Sequence, residues 1–140
     1  MTALRDTIRN YLANEATLMA LLPGGLYVGL EISRQGTPSA FDANKEVRAC
    51  GLVALELQVP LGPYTDSARQ FFTVTFWQQA GYGAIDAALD EAFVRLDDSK
   101  LGLGADLWTV RHVEDSADLE DPGLLVPMKY ARYEAIRSRT

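Results

Sequence analysis

The chain has 140 residues, 48% of them hydrophobic and 23% charged, which suffices to bury one domain's core and does not match the profile of a disordered chain. Its 13 Lys and Arg stand against 19 Asp and Glu, a net charge of −6, opposite in sign to the basic footprint of a dedicated nucleic-acid binder. One cysteine, Cys50, excludes an intrachain disulfide and a multi-cysteine zinc cage, and points to reducing cytosol.

Apolar residues at Leu4, Ile8, Leu12, Leu18 and Leu22 keep to one helical face, predicting helix over residues 2–22. Asn14, a poor interior residue and a good cap, is expected to break it. Pro23, Gly24 and Gly25 stop it, and the N-terminus lacks the continuous apolar core of a signal peptide. Residues 26–32 form a short β-type run, and residues 33–44, rich in polar and turn-forming types, read as a long loop.

Val53, Leu55, Leu57 and Val59 alternate with Ala54, Glu56 and Gln58, predicting a half-buried strand over residues 52–59 that Pro60, Gly62 and Pro63 close. Residues 69–77 alternate again, with Phe72, Val74 and Phe76 on one face and Phe71, Thr73, Thr75 and Trp77 on the other. The two runs predict a hairpin with a proline-bearing tip. Ile85, Leu89, Ala92, Phe93 and Leu96 make one stripe of a helix over residues 84–96. Two further β-type segments, 107–113 and 126–136, flank an acidic loop over 114–123. The order α, β, β, β, α, β, β predicts one α+β domain over residues 1–140, a mostly antiparallel sheet of about four to five strands with helices packed on one face. No stretch approaches the roughly 20 apolar residues of a membrane span, so no membrane partner is expected.

Catalytic chemistry has few candidates. His112 is the only histidine, set among apolar neighbours in a predicted strand, and reads as structural or exposed. Cys50 carries no local signature of a cysteine enzyme and reads as buried and inert. The glycines at 81–83 and 102–104 are spaced too loosely for a phosphate-binding loop and read as turns. Glu114, Asp115, Asp118, Glu120 and Asp121 lack the Gly and closing Glu of a calcium loop; they read as a solvated charge run, with a contact surface for a basic partner and a divalent cation site as alternatives. No catalytic, metal or cofactor residue is therefore assigned, and no enzymatic activity is expected.

Contact residues are the stronger signal. If Phe72, Val74 and Phe76 face the core, Phe71 and Trp77 face out, marking an interface unless helices cover that second face. Pro63 and Tyr64 at the hairpin tip, with Asp118 and Glu120 in the acidic loop, complete the expected contact set. Residues 33–44 and 60–68 are longer than the strands they join require, and are expected to dock on neighbouring molecules and to be mobile in the free monomer.

Four stretches in this order, LMALLPGGLYVG (18–29), FFTVTFWQQ (71–79), AIDAALDEAFVRL (84–96) and DSADLEDPGLLVPMKYARYEA (115–135), resemble the tail terminator or tail completion proteins of long-tailed bacteriophages. The resemblance implies a small subunit that forms a ring with itself, usually of six copies, at the head-proximal end of the tail tube. There it would end tube growth and meet both the major tail tube protein and the head–tail connector, with DNA passing through without specific binding. It implies a place in the virion's tail or neck after assembly in the host bacterial cytoplasm. A head-completion or neck adaptor is a close variant, and a small α+β ligand-binding domain or enzyme with an unrecognised pocket is the reading from another class.

Overall fold

Apolar residues every third or fourth position build the helices, and a computed structural model, which describes residues 4–60 and 68–139, shows where they go. Leu4, Ile8 and Leu12 are the buried face of α1 (Leu4–Ala13). The chain leaves the helix at Asn14, the expected break. Glu15 then accepts a bond from the Thr17 amide at 3.4 Å and opens α2 (Ala16–Ala20), which buries Leu18. Later, α3 (Gly83–Leu96) buries Ile85, Ala88, Leu89, Ala92 and Leu96. Arg95 of α3 meets Glu15 at 2.8 Å, and its carbonyl accepts the Tyr11 hydroxyl at 2.8 Å, tying α3 to the α1–α2 pair.

Seven strands form one sheet: β1 (Leu26–Val28), β2 (Cys50–Pro60), β3 (Ala68–Trp77), β4 (Lys100–Leu103), β5 (Asp106–Asp115), β6 (Leu119–Glu120) and β7 (Pro127–Arg139). Their order is β1-β2-β3-β7-β5-β4, with β6 paired to the start of β7. All pairings are antiparallel except β1 with β2, so the sheet is larger than the expected four to five strands and is mixed. The two added strands, β4 and β6, have four and two residues, too few for a legible alternation. The acidic stretch is correspondingly less of a loop than expected, because β5 runs on through Asp115 and β6 occupies Leu119–Glu120.

The long segment 33–44 has a topological cause. Parallel strands cannot be joined by a tight turn and need a crossover of a dozen or more residues, and residues 29–49 are that crossover between β1 and β2. It is not a free loop. It carries a 3₁₀ turn, Pro38–Ala40, and a bridge between Phe41 and Val47, and it buries Ile32, Ala40, Phe41 and Val47. Packing within the chain itself thus buries Ala40 and Phe41 of this segment, while residues 61–67 of the other long segment lie outside the described residues.

Two apolar clusters follow from the alternation. On the helix face, Val53, Phe72, Val74, Phe76, Trp108, Val110 and Tyr133 pack under all three helices. On the other face, at one end of the sheet, Cys50, Leu52 and Trp77 pack under Ile32, Ala40, Phe41, Val47 and Val126. Gly51 fits between them only as glycine, since a Cβ there would lie 2.8 Å from the Phe76 ring and 2.9 Å from Leu26. The bulge between Leu55 and Gln58 is stabilised by Gln70, whose side-chain amide donates to the Glu56 carbonyl at 2.9 Å.

One polar atom of the main core stands out. Tyr133 is fully buried and stacks on Phe72 with ring centroids 5.5 Å apart, and its hydroxyl has no hydrogen-bond partner among the described residues. Burial holds the phenol above its usual value, and it pushes the Cys50 thiol up to about 12. Both groups keep their protons in the folded state after the unfolded chain has released them. Their contribution is therefore complete below about pH 9 and is lost progressively as pH rises above it. Tyr133→Phe removes the unpaired hydroxyl while keeping the ring, so it should stabilise the fold by about 1–2 kcal/mol and flatten the alkaline limb of a stability profile. Chemical denaturation between pH 7 and 10.5 checks this, and a destabilised variant would reveal a hydroxyl partner.

Candidate assembly surface

Beyond the second apolar cluster, the sheet face turned away from the helices is left to half-buried and charged side chains. Neighbouring strands place Ala54, Thr73, Arg132 and Glu114 in one row across it, and Phe71, Glu134 and Arg111 in the next. Arg132 grips Glu56 with two nitrogens, at 2.8 and 3.2 Å, and also bonds Glu114; Arg69 lies 3.3 Å from Glu134. Such partly exposed pairs contribute about 0–1 kcal/mol each, so they matter more for the shape and charge of the surface than for stability.

Phe71 lies half-buried in this face with the Arg69 guanidinium 6.0 Å from its ring centroid. Trp77 shares the face but not the exposure. It is 4% exposed, covered by the crossover and the turn before β7, and its indole N–H donates to Asp121 at 3.0 Å. The expected outward tryptophan is corrected on this point: the parity was right, but loops rather than helices cover that end of the second face. Pro63 and Tyr64 lie outside the described residues.

The acidic residues do not converge. Glu114 turns to Arg132, Asp115 to His112 at 2.8 Å, Asp118 to Lys129 at 3.2 Å, and Asp121 to Trp77 and the amides of Gly123 and Leu124. Among the described residues no group of three or more metal-ligating side chains is placed to hold an ion. Lys129 also bonds Asp86 of α3 at 2.7 Å, and these two bonds, Asp86 first, hold its ammonium above the usual lysine range. The Tyr82 hydroxyl donates to the Leu119 carbonyl at 2.7 Å, so the turn carrying exposed Asp118 and Glu120 is pinned to the start of α3.

The remaining candidates separate widely in role. The His112 ring stands edge-on to Phe93 and Tyr133, at 5.2 and 5.3 Å, while Cys50 is buried in the second cluster on the opposite face. Their placement on the two sides of the sheet offers no shared nucleophile and base. A cleft of about 220 Å³ opens between the crossover and the turn before β7, lined by Glu31, Ile32, Ser33, Arg34, Asp121, Gly123 and Leu124.

The fold is similar to that of a chain in the virion of a native gene transfer agent particle. The two share 15% identity over 97% of this chain and 96% of that one, with a TM-score of 0.67. The likeness spans nearly the whole of both chains, and at that identity it is one of fold. No protein-family sequence profile matches the chain, and neither does any curated protein. No described helix is long and apolar enough to cross a membrane.

Sequence reasoning missed the apolar side chains that the fold leaves in solvent: Leu30, Val94, Val113 and Leu125. One had a faint signal. Leu30 stands between Gly29 and Glu31, where an exposed leucine has no packing reason to be.

Proposed function

We propose that this chain is a virion structural protein that forms a ring with copies of itself, of about six subunits by the resemblance, at the head-proximal end of a phage-type tail tube. The observation that carries the reading is the end-to-end likeness in fold to a chain of a virion particle. The four-segment resemblance to tail terminators, made from sequence, points the same way. On this reading the subunit ends growth of the major tail tube protein, offers its other side to the head–tail connector, and works without a catalytic centre. DNA passes through the ring, and the net charge of −6 favours a neutral or acidic lumen that does not hold phosphate. Phe71, Asp118 and Glu120 are surface candidates for these contacts. The cleft, at about 220 Å³, is smaller than the roughly 300–1,000 Å³ typical of small-molecule sites, which weighs against a ligand-binding role.

Native mass spectrometry and negative-stain imaging of the protein, alone and with its tail tubes, test this. Rings on one end of tubes of uniform length, and tubes of uncontrolled length when the chain is omitted, are the expected result. Rings that bind heads but leave tube length unregulated would make it a neck adaptor. A chain that never associates with itself or with tubes would sink the proposal.

A further inference from the structure

The sheet face turned away from the helices is raised at one end and bare beyond it. Ile32, Phe41, Val47 and Val126 lie over Leu52 and Trp77, whereas Thr73, Phe71 and Arg69, at alternate positions farther back along β3, stay half-buried. Two neighbouring rows of the bare part carry opposite patterns. The register sets Thr73, Arg132 and Glu114 side by side on β3, β7 and β5, and Phe71, Glu134 and Arg111 side by side in the next row. One row reads small, positive, negative, and the other large, negative, positive.

We propose that two copies of this chain pack these faces together about a twofold axis that runs across the strands, between the two rows. Rotation about that axis lays each row on the other row of the second copy, column by column. Arg132 then faces Glu134 of the second copy, Glu114 faces its Arg111, and the Phe71 ring seats on its Thr73 and on Ala54 beside it. Each contact occurs twice, as an isologous interface requires. The rotation also exchanges the ends of the strands, so the raised end of each face comes over the bare end of the other. Facing sheets lie about 10 Å apart, and in this orientation the covering layer of each copy fills the gap over the other's bare end.

Self-complementarity makes a second copy the occupant. The chain carries −6, but this face is neutral: Arg132, Arg111 and Arg69 stand against Glu114, Glu134 and Glu56, and Lys100 and Asp98 balance one another at the β4 end of the rows. Arg132 is already held by Glu56 and Glu114, and Arg111 by Asp98 at 3.4 Å, so little side-chain freedom is lost on docking. The four facing side chains, Arg132, Glu134, Glu114 and Arg111, are still 22–60% exposed, which leaves each open to a further bond. The ion pairs fix register and orientation, and burial of Phe71 supplies most of the affinity. The contact does not rest on the ring reading. A ring closes through heterologous contacts, so this twofold pairing is a separate contact of the free chain.

Arg111→Glu and Glu114→Arg test it. Both side chains are exposed, so both variants should melt within a few degrees of the parent. The parent should sediment as a dimer, with a two-chain mass under native mass spectrometry. Either variant alone sets like charges opposite each other twice, and should raise the dissociation constant about tenfold or more. Mixed in equal amounts, the two should pair with one another, because both columns again join opposite charges. Phe71→Ser should weaken the parent dimer by about tenfold or more as well. A parent that stays monomeric, charge variants that dimerise as well as the parent, or a mixture that pairs no better than its components would overturn the contact. Rings formed by a parent that shows no such dimer would remove this contact and leave the ring reading standing, whereas dimers that never build rings would do the reverse.

Discussion

Trp77→Ala should cost about 3–5 kcal/mol, a large share of the 5–15 kcal/mol typical of a domain. The indole is the floor of the second apolar cluster, under Ile32, Phe41 and Val126, and its loss leaves a cavity that residues 29–49 cannot fill without giving up their crossover path. It also removes the 3.0 Å donor to Asp121, the carboxylate that organises the turn carrying Leu124 and Leu125. Trp77→Phe separates the two effects, because it keeps most of the apolar volume and loses the bond, and should cost roughly 1–2 kcal/mol. Urea titration gives both values. A cost below about 1 kcal/mol for the alanine variant would mean that the crossover is not anchored through this residue.

Phe72→Ala should be comparably damaging, at about 3–5 kcal/mol, with a further contribution of about 0.5–1.5 kcal/mol from its stacked partner Tyr133. Phe72 is fully buried in the middle of β3, under the helices, and β3 lies between β2 and β7. Its neighbour provides the control. Phe71, one residue away and half-buried on the other face, should cost about 1 kcal/mol or less on truncation to alanine. Equal costs for the two would contradict the assignment of the sheet's faces, and a Phe71 variant that is stable yet impaired in capping tails would assign that side chain to an external contact.

The local elements were legible because each rests on a pattern of one short stretch. The 3.6-residue stripe of Ile85, Leu89, Ala92 and Leu96 and the two-residue alternation of Phe72, Val74 and Phe76 need no information from elsewhere in the chain, although Phe93, expected on the same stripe, is 42% exposed at its edge. The contact surface was legible only in part for the opposite reason. Exposure of a side chain is set by what crosses above it, and Phe71 and Trp77 have the same parity on the same strand, yet residues distant in sequence cover only the second.

By itself, then, the sequence determined the helices, the four main strands, the break at Asn14, that Phe71 and Phe72 lie on opposite faces of their strand, and the absence of a local catalytic signature. These depend on periodicity, capping and residue chemistry within a few positions. Only the tertiary structure decided that β1 joins β2 in parallel, that residues 29–49 are long because such a pairing demands a crossover, and that β7 enters between β3 and β5. It alone decided, too, that Trp77 is covered while Leu30, Val94, Val113 and Leu125 are not. Strand partners and loop coverage are set by the total burial of the assembled chain, a quantity that no single segment carries.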